Sequence, residues 1–392
     1  MFTVRPGANL SAKLFFLLCL LFLHVSISTA EEPIRIGTSL SLSGIYREPS
    51  HMIRKGYEMW VKNINESGGL LDRKVELVLL DDASDESAVR ENYLRLLKEE
   101  EVDLVLSPYS TPLTLQASDI TEEAGYVMIA GGASGSQLWN RGYKYLFGVY
   151  SMADRYFIGY LDLIARQGID RVSIVFEDTV FNRDAARGAF EWAGKMGVEV
   201  DEYISYIPGE DSPENVLIRA GLDEETALII CSYTDDGYAF LSVLRDQNIR
   251  PAAIAMTVTP IHPLFAHRLG PSAQGIFGPS QWEPVERIPY PGTKEFIENF
   301  RTFAHMSPSY HAGSAYAACQ ILEKSVTETG SLDNKILRDY IMSIDTVTVI
   351  GRFKVNHLGM QIGHNPLLIQ WQYGKKEIVY PRRMSTAEAV FP

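Results

Sequence analysis

From Pro33 onward, short apolar runs alternate with stretches whose apolar residues return every three or four positions. Ile34–Ser39 reads as a strand. Ile53, Tyr57, Trp60, Val61 and Ile64 then mark one face of a helix that stops at Gly68-Gly69. The cycle continues with a strand Val75–Leu80, a helix through Val89, Tyr93, Leu96 and Leu97, a strand Val102–Leu106, a helix over 112–124 and a strand Tyr126–Ala130. After Tyr150 it starts again: strand Val172–Phe176, helix Ala185 to Ala193, strands Val198–Ile204 and Ala227–Cys231, a helix over 237–247 and a strand Ala252–Met256. Strands alternating with helices of this length predict β-α-β units and parallel sheets covered on both faces. Two such series predict two α/β domains rather than one large sheet. A proline-rich stretch from Gly278 to Pro291 reads as a crossover. Helices follow near 293–305, 310–327 and 333–343, and strands Arg352–Val355 and Leu367–Trp371 close the chain.

Composition narrows the function. With 392 residues, 46% hydrophobic and 22% charged, the chain is long enough for two packed cores and is not a disordered one. Its net charge of −13 removes the electrostatic footprint of a general nucleic-acid binder. Residues 1–30 read as an export signal, with Arg5 and Lys13 ahead of apolar Leu14–Leu23 and small residues Ser28 and Ala30 before Glu31. A lipid-anchor reading of Cys19 is weakened by Leu20 after it. Cys231 and Cys319 remain, either as a disulfide or, the reading preferred, as two buried thiols.

Enzyme and cofactor signatures are missing. The sequence has no phosphate-binding glycine loop, no dinucleotide fingerprint, no C-x-x-C and no H-E-x-x-H. Gly132-Ala-Ser-Gly-Ser136 falls short of a nucleophile elbow, leaving a secreted hydrolase built on Ser134 as a remote alternative. His262 and His267, separated by Pro263, make a poor metal pair. Three loop groups at strand ends are more informative, because open α/β sheets bind ligands there. Ser107-Pro-Tyr109-Ser-Thr111-Pro112 places Thr111 to cap the next helix, where free N–H groups suit an anion such as a carboxylate. Gly131–Ser136 is small enough for a ligand to touch backbone. Phe181 and Tyr233 follow strands of the second series.

Four stretches, Ile34–Gly44, Asn65–Asp82, Gln116–Ile120 and Tyr310–Ala318, resemble the leucine/isoleucine/valine-binding proteins, the periplasmic substrate-binding receptors of ABC importers. The resemblance covers residues 33–380 in order. It implies a type I fold of two α/β lobes, 31–151 plus 280–352 and 152–279 plus 353–392, with hinge crossings near Ser151, Gly278–Ser280 and Phe353. It also implies a monomer without cofactor or metal, handing a small ligand to a membrane permease; a sensing module of the same fold is the alternative. By position, Thr111, Gly132 and Ser134 would form the first-lobe half of the site and Phe181 and Tyr233 the second, with Tyr109 beside them. Tyr46, Tyr150, Trp282 and His311 are further wall candidates. Amino-acid-binding members commonly present an acid after the strand that is here Ala252–Met256, and this chain has Thr257-Val-Thr259 instead. Asp235 or Asp236 could substitute, with a helix-capping role as the equal alternative for either. Because a buried ammonium without an anion costs several kcal/mol, an amide, urea-like or aromatic carboxylate ligand becomes a rival to a branched-chain amino acid. Ser84 and Ser110 stand where some members carry a disulfide.

Overall fold

The computed structural model describes residues 1–3, 32–262, 264–285, 287–288 and 290–391. The export segment expected over 1–30, Cys19 included, lies outside the described residues except for its first three positions. In the first lobe the order is β1 (Ile34–Leu40), α1 (Arg47–Glu66), β2 (Val75–Asp81), α2 (Glu86–Lys98), β3 (Leu104–Leu106), α3 (Thr111–Ala124), β4 (Met128–Ala130) and β5 (Leu146–Gly148). These strands form one parallel sheet in the order β2-β1-β3-β4-β5.

The chain then crosses to α4 (Ile158–Arg166), β6 (Arg171–Glu177), α5 (Val180–Met196), β7 (Glu199–Tyr206), α6 (Pro213–Arg219), β8 (Thr226–Cys231), α7 (Thr234–Asp246), β9 (Ile254–Met256), α8 (Phe265–Leu269) and β10 (Phe277–Ser280). It returns through α9 (Thr293–Ala304), α10 (Tyr310–Thr329), α11 (Asn334–Ser343) and the hairpin β11 (Thr346–Thr348) and β12 (Gly351–Phe353). It ends in β13 (Leu367–Gln372) and β14 (Lys375–Tyr380). The second sheet has the order β14-β13-β10-β9-β8-β6-β7, with β13 antiparallel to both of its neighbours, β10 and β14. The chain thus makes three passages: from the first sheet to the second after β5, out of the second sheet after β10 to α9–α11, and back into it at β13.

The apolar periodicity of α1 has a physical outcome: Met52, Ile53, Tyr57, Met59, Trp60 and Ile64 are buried along one face. Each large side chain removed from water contributes about 2 kcal/mol. Part of that face packs on α10, where the Trp60 indole N–H donates to Glu323 (2.7 Å) and the Asn63 amide donates to the Tyr316 hydroxyl (3.2 Å). Residues 310–329 thus belong with the first sheet.

Several elements differ from the sequence expectation. β5 escapes a periodicity reading because three residues carry no period, and α6 because its seven residues hide among polar neighbours, although Ser212 caps it through the Asn215 N–H. β14 pairs a half-buried, Lys-rich strand to β13 and shows no clean alternation. Gly278–Ser280, expected as a hinge, is part of the strand β10; the chain leaves the sheet only at Gln281. The cap of α3 is Ser110, which accepts from the Leu113 N–H, and not Thr111, which is the first helical residue. The disulfide alternative fails: Cys231 and Cys319 are both free and buried, and burial pushes both thiols up. No described helix is long and apolar enough to cross a membrane.

Candidate functional site

The switch points of the two sheets lie beside β1 and β6, where neighbouring strands send their connections to opposite faces. The loops after β1, β3 and β4 come from the first lobe, those after β6, β8 and β9 from the second. Between them stands a box of aromatic rings. Tyr46 packs edge-on against Tyr109 at 5.8 Å and against Tyr233 at 5.0 Å. Phe181, on the first turn of α5, lies 5.8 Å from both Tyr233 and Tyr156. Tyr150 meets Tyr310 at 5.5 Å, and His311 stacks on Tyr310 at 4.1 Å while meeting Tyr109 edge-on at 5.3 Å. Such pairs contribute about 1 kcal/mol each beyond the area they bury.

The rings nearly fill their own enclosure. Tyr109, Ser110, Thr111, Gly132, Ser134, Tyr150, Tyr156, Phe181, Tyr233, Val258 and Tyr310 surround about 20 Å³, room for roughly one water. The hydroxyls of Tyr150 and Tyr233 are buried without a hydrogen-bond partner among the described residues. Burial pushes the phenols up, Tyr46 and Tyr156 to about 12, so they act as neutral donors and acceptors near neutral pH.

Around the box the polar groups are held tightly. Thr111 Oγ1 accepts the Gly135 N–H at 3.1 Å, and Gly132 O accepts the Ser110 N–H at 3.1 Å, pinning the loops after β3 and β4 together. A longer chain of bonds ties the box to the crossings. Gln281 Oε1 accepts the Ser151 N–H (2.9 Å); its Nε2 donates to Ser151 O (3.1 Å) and to the Tyr156 hydroxyl (3.0 Å), which donates to Ser134 Oγ (2.9 Å). No imidazole or carboxylate bonds to Ser134 among the described residues, so the hydrolase alternative finds no base.

The remaining candidates fall elsewhere. Thr257 Oγ1 accepts the Ser232 N–H (2.9 Å) and donates to Ser232 O (2.8 Å), which locks the end of β9 to that of β8 and takes its hydroxyl away from the box. Asp235 is exposed and Asp236 half-buried in the first turn of α7. Neither lines the box, and burial raises the Asp236 carboxyl beside Tyr206. Trp282 packs edge-on to Phe296 where the chain returns to the first lobe, away from the rings. His262, a poor metal ligand on sequence grounds, instead bonds Glu48 through Nε2 at 2.6 Å, and Arg268 reaches the same carboxylate at 2.9 Å. These contacts bridge α1 to the second lobe.

Four residues at or beside the box escape sequence reasoning. Tyr156 and Tyr310 give no signal beyond being aromatic next to a loop. Glu177 closes the apolar run of β6 with an acid, which is a legible anomaly. It is 6% exposed and accepts the Tyr233 N–H (3.2 Å) and the Asn182 amide (3.1 Å). Burial, with Asp236 adding to it, raises its carboxyl to about 7 against the Tyr233 N–H. The fourth is Asp184 on α5, which accepts both the N–H (2.8 Å) and the hydroxyl (2.9 Å) of Ser136 across the two lobes.

The sequence matches the periplasmic binding protein family over residues 33–375. A curated relative, Leu/Ile/Val-binding protein homolog 7 of Brucella suis, is 22% identical, with 93% of this chain and 95% of the relative aligned. Among solved structures, the branched-chain amino acid transporter substrate binding protein LivJ of Streptococcus pneumoniae, in complex with isoleucine, superposes with a TM-score of 0.79 at 18% identity over 92% of this chain and 100% of that one. A solute binding protein of an R. palustris ABC transporter, in complex with benzoate, gives a TM-score of 0.76 at 18% identity over 91% and 97%.

Proposed function

Since this chain belongs to the periplasmic binding protein family, whose members are substrate-binding proteins rather than enzymes, we propose that it captures a small ligand between its lobes outside the cytoplasm and delivers it to an ABC importer. The observation that carries this is the box itself, built from the strand ends of both sheets and holding unpartnered hydroxyls. The lobes rotate about the three passages of chain, near Ser151, at Gln281, where the chain leaves β10, and beyond Phe353. The ligand docks on Thr111, Gly132 and Ser134 of the first lobe, and closure brings in Phe181 and Tyr233. Contacts to both lobes favour the closed state, because only a ligand with differential affinity shifts such an equilibrium.

No carboxylate is among the residues that line the box, so the ligand class favoured is one without a buried ammonium: a small carboxylate or an amide. A thermal-shift screen of residues 31–392 against amino acids, amides and aromatic and aliphatic acids tests this. A ligand at about 100 times its dissociation constant adds roughly 2.7 kcal/mol, and shifts confined to amino acids would reject the class. The Thr111→Val variant is expected to weaken a carboxylate hit by roughly 1–3 kcal/mol and to leave the Gly135 N–H unpaired; unchanged affinity by calorimetry would reject docking on Thr111 and, with it, the cleft reading.

The Glu48 bridge gives a second expectation. With Glu48 and Arg268 each about a third exposed, it contributes on the order of 1 kcal/mol to the closed arrangement. The Glu48→Gln protein should therefore bind several-fold more weakly and show a larger ligand-free radius of gyration in X-ray scattering. An unchanged radius would mean that the bridge does not hold the lobes together.

A further inference from the structure

Next to the ring-filled box lies a second and much larger cavity. It measures about 520 Å³, within the range of sites that bury whole organic ligands. Its apolar wall comes from both lobes: Leu42, Pro49, Met52 and Met306 from the first, Ile261 and Leu264 from the second. Leu42, Leu264 and Met306 each leave more than a third of their surface in water, and exposed apolar groups gathered around one hollow mark a binding surface.

Two polar atoms of this wall are unsatisfied. Ser309 Oγ and His311 Nε2 are buried without a partner among the described residues. His311 is 6% exposed, and burial, with Lys376 and His262 nearby, pushes its imidazole down to about 3, so it is a neutral hydrogen-bonding group. The rim is cationic in a strongly acidic chain. That charge comes from Arg47, which is exposed with no ion pair among the described residues; Arg54 beside it is paired with Glu58 at 2.6 Å, and burial, with Lys55 and Arg54 nearby, lowers the His51 imidazole. The acid on this wall, Glu48, is already engaged by His262 and Arg268.

Only a thin partition separates cavity and box. His311 lines the cavity and stacks on Tyr310 of the box, and Val258 lines both. Val258 has φ +44° and ψ −56°, and the Thr259 N–H bonds Thr257 O at 2.5 Å around it. This is a tight γ-turn of the disfavoured hand on a β-branched residue, a strained state that persists only when its surroundings impose it. Gly237 on α7 makes room for it, since a Cβ there would lie 2.0 Å from Thr259 Oγ1.

We infer that the ligand is an elongated organic anion, its polar head on Thr111 and Ser134 and its apolar arm in the cavity walled by Met52, Ile261 and Met306. A free branched-chain amino acid confined to the box is not the ligand. The inference rests on the proposed ligand-binding function of the cleft and names its substrate class. The rim draws the anion in, the Val258 turn yields to let the arm pass, and His311 or Ser309 bonds any polar atom along it.

The test is calorimetric titration of the 31–392 protein with three probes: benzoate, 4-phenylbutyrate and leucine. Three additional buried methylenes should make 4-phenylbutyrate roughly fiftyfold tighter than benzoate. Met306 is 43% exposed, so Met306→Trp fills the cavity without disturbing the core, which an unchanged melting temperature verifies. That variant should weaken 4-phenylbutyrate until the gap between the two acids closes. Leucine binding as tightly as 4-phenylbutyrate, or a gap that survives Met306→Trp, overturns the cavity assignment and leaves the cleft reading standing. Thr111→Val separates the two failures further: if it leaves the affinity of every probe that binds unchanged, the cleft reading itself falls and takes the inference with it, whereas if neither acid binds, the inference alone falls.

Discussion

Raising the pH from 4.5 to above 7 should destabilise the ligand-free protein by about 3 kcal/mol through one residue, Glu177. Its carboxyl sits at about 7 in the folded protein against an ordinary 4.5, and every tenfold gain in proton affinity on folding is worth about 1.4 kcal/mol. A carboxyl whose folded value lies above its unfolded one binds more protons when folded. Stability is therefore highest below 4.5 as far as this group is concerned, and is lost as the pH rises through 7. Asp236, also raised by burial, adds to the same slope. Glu177→Gln keeps an acceptor for the Tyr233 N–H and removes the charge. Its melting temperature at pH 8 should exceed that of the parent by several degrees and the two should converge near pH 4.5. Parallel melting curves from pH 5 to 8 would show that Glu177 is not protonated in the fold.

A second large effect is expected from Gly188→Ala. Gly188 is buried in α5 where it crosses the turn at Ala153–Arg155, and a Cβ would lie 2.2 Å from Asp154 O and 2.3 Å from its Cα. The obstacle is backbone, so no rotamer change relieves it, and overpacking of this kind costs about 3 kcal/mol. The same contact carries Arg187, which reaches Asp184 at 2.6 Å and Asp154 at 3.7 Å, while Asp184 holds Ser136 of the other lobe. The substitution should lower the melting temperature by several degrees and weaken ligand binding together. A loss of stability without loss of affinity would show that α5 does not govern how the lobes meet.

Much of this architecture can be read from periodicity. α1, α2 and the β1 and β6 strands carry strong apolar patterns, because each buries a face or both faces. The three-residue strand β5 and the seven-residue helix α6 do not, since elements that short are fixed by neighbours rather than by their own sequence. In the site, Thr111, Gly132, Ser134, Phe181, Tyr233, Tyr109 and Tyr150 converge on one box, and Tyr46 closes it. Their loops leave carboxyl strand ends, which sequence order reveals. Thr257 fails to join them because its hydroxyl is consumed between two strand ends, a bond that no local pattern announces. The larger cavity is equally illegible in sequence, being assembled from residues as distant as Leu42, Ile261 and Met306.

The bonds that run from Gln281 through Tyr156 to Ser134 have a direction. The Ser151 N–H fixes which end of the Gln281 amide is oxygen, so Nε2 must donate to Tyr156, and Tyr156 must spend its own proton on Ser134. The one hydrogen left over is that of Ser134, which is free to point at an incoming ligand. Linked donors polarise one another in the same sense, so an electron-rich atom placed there strengthens every bond behind it, back to the crossing at Ser151. An ammonium in the same place would have to turn that hydrogen aside and bond the second lone pair of Ser134, whose oxygen already accepts from Tyr156. The polarity of these bonds thus favours an electron-rich guest at Ser134, and the same bonds tie that position to Ser151, where the chain leaves the first lobe.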